Sequence, residues 1–275
     1  MYEPSDQVRP YRAHGSDPIR GAVSSLLYRP PWFLNVYVDA GEAGGGYLVP
    51  SSRRTTAVRP EERPEDQSAS QRSAKEAGAR SVRRLRRYCA SNRLTVMGTL
   101  TYAGEGCHDP TQIRSDLGAF FRGLRTERGG EAFPYVWVPE WHKTDHGLHA
   151  HFGVNRRIPV RLIREVWGHG FVYMTQRTGR PSGGSPLADA RHAARYLSKY
   201  LSKDVGGPHK NASWQHRYDV AQGFEPRSVR VDAWSRGEAI GHAIEVMGGE
   251  APTSMWTSDE SDGWTAAPRM TLQWG

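Results

Sequence analysis

Two copies of one unit stand end to end in this chain, Tyr196-Leu-Ser-Lys199 and Tyr200-Leu-Ser-Lys203. A tyrosine with a lysine one helical turn away can attack a phosphodiester and stay attached to it, because the cation favours the phenolate. The chain has five lysines (Lys75, Lys143, Lys199, Lys203 and Lys210) against 32 arginines, yet two of the five fall at the same place in this tandem. Residue frequencies put a chance Y-x-x-K-Y-x-x-K at about 2 in 10,000. Something other than surface charge selects lysine here.

At about 100° per residue, Tyr196, Lys199, Tyr200 and Lys203 fall within about 100° of a helix circumference. Ala190, Ala193, Ala194, Leu197 and Leu201 form a stripe centred about 120° away, which predicts that the small residues pack on a sheet and both hydroxyls face one side. For either tyrosine alone, an amphipathic surface position with a snorkelling lysine is the plainer reading. The tandem spacing and a histidine pair upstream tip the balance toward chemistry.

That pair is His149 and His151, two apart on a strand-like run, so both imidazoles project from one face. Alone it is weak, since the 11 histidines of the chain give about 0.4 H-x-H by chance. On the preceding strand-like run Glu140 and His142 share a face. A carboxylate there completes a two-His, one-carboxylate set with open positions for a phosphate oxygen and water. Glu140 is the expected third ligand; His142, Asp145 and His146 are nearby competitors.

The elements that must hold these residues follow from periodicity and punctuation. Leu94 to Tyr102 reads as a strand. Asp109 caps a helix with Pro110 at its first position, Gln112 closing a capping box, and Ile113, Leu117, Phe120, Phe121 and Leu124 as its apolar stripe. Tyr135–His142 and Leu148–Asn155 form a hairpin across Lys143–Gly147. A short helix from Pro159 to Trp167 ends at Gly168, Phe171–Thr175 is another strand, and Gln176–Ser185 is a loop whose last residue caps the tyrosine helix. This order predicts an α+β fold, a mainly antiparallel sheet in a split β-α-β arrangement covered by helices on one face.

Around this centre, residues 1–71 hold eight of the 18 prolines and a glycine-rich patch at Gly41–Gly46, and are expected to be mostly irregular apart from a strand at 32–38. A basic helix over Arg72–Arg93 opens the nuclease domain, 72–204. Its Arg80, Arg83, Arg84, Arg86 and Arg87 are candidates to lie along a nucleic-acid backbone, with a solvated basic face as the equal alternative. Residues 205–248 are expected to add a strand at Ser228–Asp232 and a helix from Ser235, and 249–275 a flexible tail.

Composition bounds the reading. With 275 residues and 37% hydrophobic content the chain can bury one sizeable core with appended segments. A net charge of +8 and a pI near 9.6 point to a polyanion partner. Cys89 and Cys107 have no C-x-x-C spacing, so neither a disulfide framework nor a zinc ribbon is indicated. No apolar leader and no membrane-length stretch appear, which predicts a cytoplasmic protein.

With these residues in view, the chain resembles the HUH endonuclease superfamily, and within it the rolling-circle replication initiators of plasmids and phages. Val96-Met-Gly-Thr-Leu-Thr-Tyr102 is similar to their first motif, His149-Ala-His151 to the histidine pair, and Tyr196–Lys203 to the two-tyrosine motif. Val138-Pro-Glu-Trp-His142 and Gly147-Leu-His-Ala-His-Phe152 extend the likeness, which spans about residues 94–204. Ala150 departs from it, being smaller than the apolar residue often found between the histidines.

The resemblance implies a ferredoxin- or RRM-like core, a Mg²⁺ or Mn²⁺ held by Glu140, His149 and His151, and Tyr196 and Tyr200 as nucleophiles helped by Lys199 and Lys203. It implies a nick in single-stranded DNA or an extruded origin hairpin, a 5′-phosphotyrosyl link and a free 3′-hydroxyl that primes replication. No Walker A pattern is present, so unwinding would come from a host helicase and synthesis from a host polymerase. The competing class is a non-catalytic DNA-binding or copy-control protein. A single-strand transposase or a relaxase shares the chemistry, although relaxases usually place the tyrosine before the histidines.

Overall fold

The computed structural model describes residues 30–48, 67–175, 185–203, 218–261, 264 and 266–275, with 67–75, 202 and 203 described by backbone alone. The loop expected at Gln176–Ser185 therefore lies outside the described residues except for Ser185. So do the first 29 residues and most of the polar run at Arg59–Gln71.

A five-stranded antiparallel sheet carries the residues singled out above. Its strands are β3 (Val96–Tyr102), β4 (Tyr135–Trp141), β5 (Leu148–Val154), β6 (Gly170–Met174) and the short β7 (Asp219–Val220), in the order β6-β3-β5-β4-β7. β5 is central and buried at all seven positions, because helices cover both faces of the sheet rather than the single face expected. On one face Leu100, Trp137, Ala150 and Phe152 pack with Ile113, Leu117, Phe120 and Leu124 of α2 (Pro110–Glu127) and Ile163 and Trp167 of α3 (Val160–Trp167). On the other, Val136 and Val138 pack with Ala194, Leu197 and Leu201 of α4 (Pro186–Lys203) and Leu85, Tyr88 and Cys89 of α1 (Gln67–Ser91). The histidine-bearing face can accept a helix because Gly153 leaves room for Leu197, whose Cδ1 would stand 3.2 Å from a Cβ there.

Local signals set the helix ends. Asp109 accepts from the Thr111 amide at 2.7 Å with Pro110 opening α2. Gln112 does not close the expected box; it donates to Asp116 at 2.8 Å, and Asp116 also accepts from the Tyr102 hydroxyl. Ser185 caps α4 through the Ala188 amide. Gly168, at φ 62°, ends α3 in the left-handed region.

The segments expected to be irregular build a second antiparallel sheet. Its order is β8-β1-β2-β10-β9, from β1 (Trp32–Tyr37), β2 (Glu42–Tyr47), β8 (Val229–Ala233), β9 (Ser254–Thr257) and β10 (Arg269–Gln273). The glycine patch is thus a strand, and the expected tail supplies two more. At Gly45 and Gly46 an added Cβ would meet the Phe33 and Pro268 carbonyl oxygens at 2.0 and 2.3 Å, so glycine is what lets three backbones approach. In β10 the inward residues are Met270 and Leu272, with Trp274 beyond, a short alternation joined to no neighbour in sequence. α5 (Arg236–Val246) closes this core with Ala239 and Ala243, its start capped by Ser235 and Glu238 as expected.

Arginines join the two sheets. Arg87 of α1 pairs with Glu42 and lies 3.6 Å from the Tyr37 ring centre, and Arg93 donates to the Asp39 carbonyl. Arg191 of α4 donates to the carbonyls of Ala40, Gly41 and Gly275 at 2.8, 2.7 and 2.8 Å. Gly41 sits at φ 62°, where a Cβ would also fall 2.8 Å from Arg191. Arg191→Met leaves these carbonyls without their charged donor and should lower stability by about 1.5–3 kcal/mol, read as a shift in the denaturant midpoint.

Burial also lifts three acids. The Cys89 thiol is pushed up to about 12, and the Tyr88 and Tyr102 phenols rise above their ordinary value, Tyr102 also through its bond to Asp116. Folding then holds the protonated forms, so their stabilisation is full below the ordinary values of 9.0 to 10.0 and is lost as pH climbs above them. The urea midpoint is expected to be lower at pH 11 than at pH 8; equal midpoints would contradict it.

Candidate functional site

Register brings the three candidate ligands together. β4 and β5 pair so that Glu140 lies opposite His149 and Val138 opposite His151, and residues opposite each other in an antiparallel ladder share a face. His151 Nε2 is 2.9 Å from Glu140 Oε2, His149 Nε2 is 3.3 Å from the same oxygen, and the two Nε2 atoms are 3.2 Å apart. Among the described residues these three form the one group of His, Cys, Asp and Glu donors able to hold a metal ion. Of the competitors, His142 Nδ1 is engaged by Thr144, His146 Nε2 by the Tyr102 carbonyl, and Asp145 is exposed.

The donor set fits a divalent cation. Separations of 2.9, 3.3 and 3.2 Å match adjacent corners of an octahedron whose ligands lie about 2.1 Å from its centre, with edges of about 3 Å. Thr99 Oγ1 stands 3.0 Å from His151 Nδ1. A neutral His151 that donates Nδ1–H to Thr99 turns its Nε2 lone pair toward the triad. Thr99 escaped the sequence reading although it lies in the first-motif strand. Its signal was alternation, since Thr99 faces His151 across β3 and β5 while Leu100 faces the core.

The tyrosine helix lies over this triad. Ala190, Ala193, Ala194, Leu197 and Leu201 are buried, as the stripe predicts, and Tyr196 and Tyr200 are half-buried toward the histidines. Their positions differ. Tyr200 stacks face to face on His151, with ring centres 3.6 Å apart and planes 13° apart, whereas Tyr196 meets the same imidazole edge-on at 6.3 Å. The tyrosine rings themselves are 5.3 Å apart. Burial holds the Tyr200 hydroxyl well above the usual phenol value, and its hydrogen bond to Tyr196 and the Tyr196 and Glu140 charges push the same way.

The lysines divide as well. Lys199 is exposed, with its ammonium 6.0 Å from the Tyr196 ring centre. Lys203 ends α4, and its side chain lies outside the described residues. The basic helix α1 packs beside α4, which puts its arginines near but not in the triad. Arg80, Arg83 and Arg84 are exposed, Arg80 paired with Glu76. Arg86 donates to Ser198 of α4, and Arg87 is held by Glu42 and Tyr37. The last two thus also serve as joints between elements.

Residues 95–205 match a family model described as replication-associated protein, ORF2 type. No curated protein and no solved structure matches the chain. The matched stretch holds the whole triad and both tyrosines, and the likeness is to proteins of replication, consistent with a rolling-circle initiator that acts on DNA. No helix among the described residues is long and apolar enough to cross a membrane.

If the triad is a metal centre, Glu140→Ala and His151→Ala should each remove Mn²⁺ binding detectable by titration calorimetry. Thr99→Val should weaken it by about 10-fold or more. An unchanged Thr99→Val isotherm would show that the hydroxyl does not orient His151.

Proposed function

We propose that this protein is a replication initiator that nicks single-stranded origin DNA by tyrosine attack and keeps the 5′ end as a phosphotyrosyl link. One observation carries the reading: Glu140, His149 and His151 converge within hydrogen-bond distance of one another directly beneath Tyr196 and Tyr200.

Held by that triad, a Mg²⁺ or Mn²⁺ would supply Lewis-acid polarisation of a non-bridging phosphate oxygen. Two imidazoles among three donors favour Mn²⁺ over Mg²⁺, which prefers oxygen. The chain's own residues do the rest. One tyrosine oxygen attacks phosphorus as its phenolic proton leaves to solvent; the new O–P bond forms while the bond from phosphorus to the 3′ oxygen breaks, and that oxygen takes up a proton. Lys199 beside Tyr196 favours the phenolate, and Lys203 is assigned the same part for Tyr200. Stacking on His151 fixes the Tyr200 ring, so little orientation remains to be gained on binding DNA.

The freed 3′-hydroxyl would prime a host polymerase, with a host helicase opening the duplex. Attack of a 3′-hydroxyl on the phosphotyrosyl bond reverses the first step and rejoins the DNA. The second tyrosine permits a further attack while the first still holds an end. Arg80, Arg83 and Arg84 on α1 offer phosphate contacts beside the site.

Incubation with a pool of random-sequence single-stranded 40-mers and Mn²⁺ is expected to give an adduct that survives denaturing electrophoresis, and sequencing the captured strands would read the preferred site. Chelation of the metal, Glu140→Ala and the Tyr196→Phe/Tyr200→Phe double variant should each abolish it. Salt-sensitive binding with no adduct under any metal would instead favour a non-catalytic DNA-binding role.

A further inference from the structure

We infer that Phe171 and Tyr173 on β6 form a stacking platform for unpaired bases next to the scissile phosphate; this rests on the single-strand nicking reading above. The two rings are the most exposed large hydrophobic side chains among the described residues, at 70% and 66%. They alternate with Val172 and Met174, which point into the core with Leu100 and Phe152. The fold uses the inward pair and gains nothing from rings on the outward pair. Exposed apolar groups that bury nothing mark contact with another molecule.

Register places them on the catalytic face. Phe171 pairs with Thr101 and Tyr173 with Thr99 across β6 and β3, and Thr101 and Thr99 pair with His149 and His151 across β3 and β5. Two rows therefore cross the sheet, Phe171–Thr101–His149–Glu140 and Tyr173–Thr99–His151–Val138. Each ring lies two strand spacings from a histidine, about 10 Å. That is about three base steps at about 3.4 Å each. α4 packs on β4 and β5, and the residues between the rings and the triad are threonines, too short to fill the space above them.

A single-stranded nucleic acid suits such a surface better than a protein does. Flat rings accept the face of any base without reading its identity, and a basic chain with a net charge of +8 favours the attached phosphates. A phosphate bound at the triad and bases laid on β6 would hold the backbone across the sheet, with Thr99 and Thr101 beneath it.

The test uses the full chain and fluorescein-labelled dT20 without metal, followed by anisotropy. Phe171→Ala and Tyr173→Ala should each raise Kd at least about fivefold, while Phe171→Tyr/Tyr173→Phe, which keeps both rings, should stay within about twofold. Iodouracil-substituted strands should crosslink to the β6 peptide of the wild type and lose that crosslink in the double alanine variant. Unchanged affinity in that variant with crosslinks elsewhere would overturn the platform. So would a dimer of the wild type that the double alanine variant dissociates, since the rings would then serve a second copy. Adduct formation by the wild type judges nicking separately: an adduct with no effect of the alanines sinks the platform alone, and ring-dependent binding with no adduct sinks nicking alone.

Discussion

Glu140 pairs with His149 across the β4–β5 hairpin, and that register sets the other distances in the site. A slip of one residue would turn both histidines toward Phe120 and Trp167 and bring Ala150 under the tyrosines. The turn guards against it: the His142 amide donates to the Gly147 carbonyl at 2.7 Å, and the Leu148 amide to the Cys107 carbonyl at 2.6 Å. Burial on both faces guards again, because every alternative register would place an imidazole in an apolar layer without a partner. The triad is therefore a property of backbone pairing first and of side-chain choice second.

The tyrosine repeat depends on that sheet for its meaning. As sequence, the two units are identical; as structure, they are not. Tyr200 is stacked on a ligand histidine and Tyr196 stands at its edge. The difference comes from helix geometry, since residues four apart are displaced along the axis while the imidazole beneath stays fixed. Any division of labour between the hydroxyls rests on surroundings rather than on the repeated motif.

The nuclease sheet was legible because its signals are local. Val96–Tyr102 alternates, Asp109-Pro110 opens a helix, and the hairpin carries its polar turn between two β-rich runs. The site was legible for the same reason, its ligands lying on neighbouring strands and its tyrosines on one helix face. What escaped was non-local. Gly44–Gly46 reads as a break until Phe33 and Pro268 are seen pressing on it, and Met270, Leu272 and Trp274 read as scattered apolar residues until β2 supplies their partner. Coverage of both faces escaped too, because a histidine pair in sequence looks polar and hence solvent-facing. Arg87 looked like a phosphate ligand by charge alone, and only tertiary structure reveals that Glu42 and Tyr37 already hold it.

The second sheet has a consequence for the order in which the molecule can assemble. β1 and β2 form a local hairpin, but their outer neighbours β8 and β10 are encoded far downstream, beyond the entire nuclease sheet. Such pairings have high contact order, and their loop-closure entropy is met only late in folding. Arg191, on the helix that bears the tyrosines, takes acceptors from both ends of this late structure, at Ala40 and Gly41 and again at Gly275. During synthesis the triad can form as soon as the hairpin has emerged, whereas the final setting of the tyrosine helix waits for the distant strands. The chain thus acquires its ligand cluster early and its nucleophile alignment last.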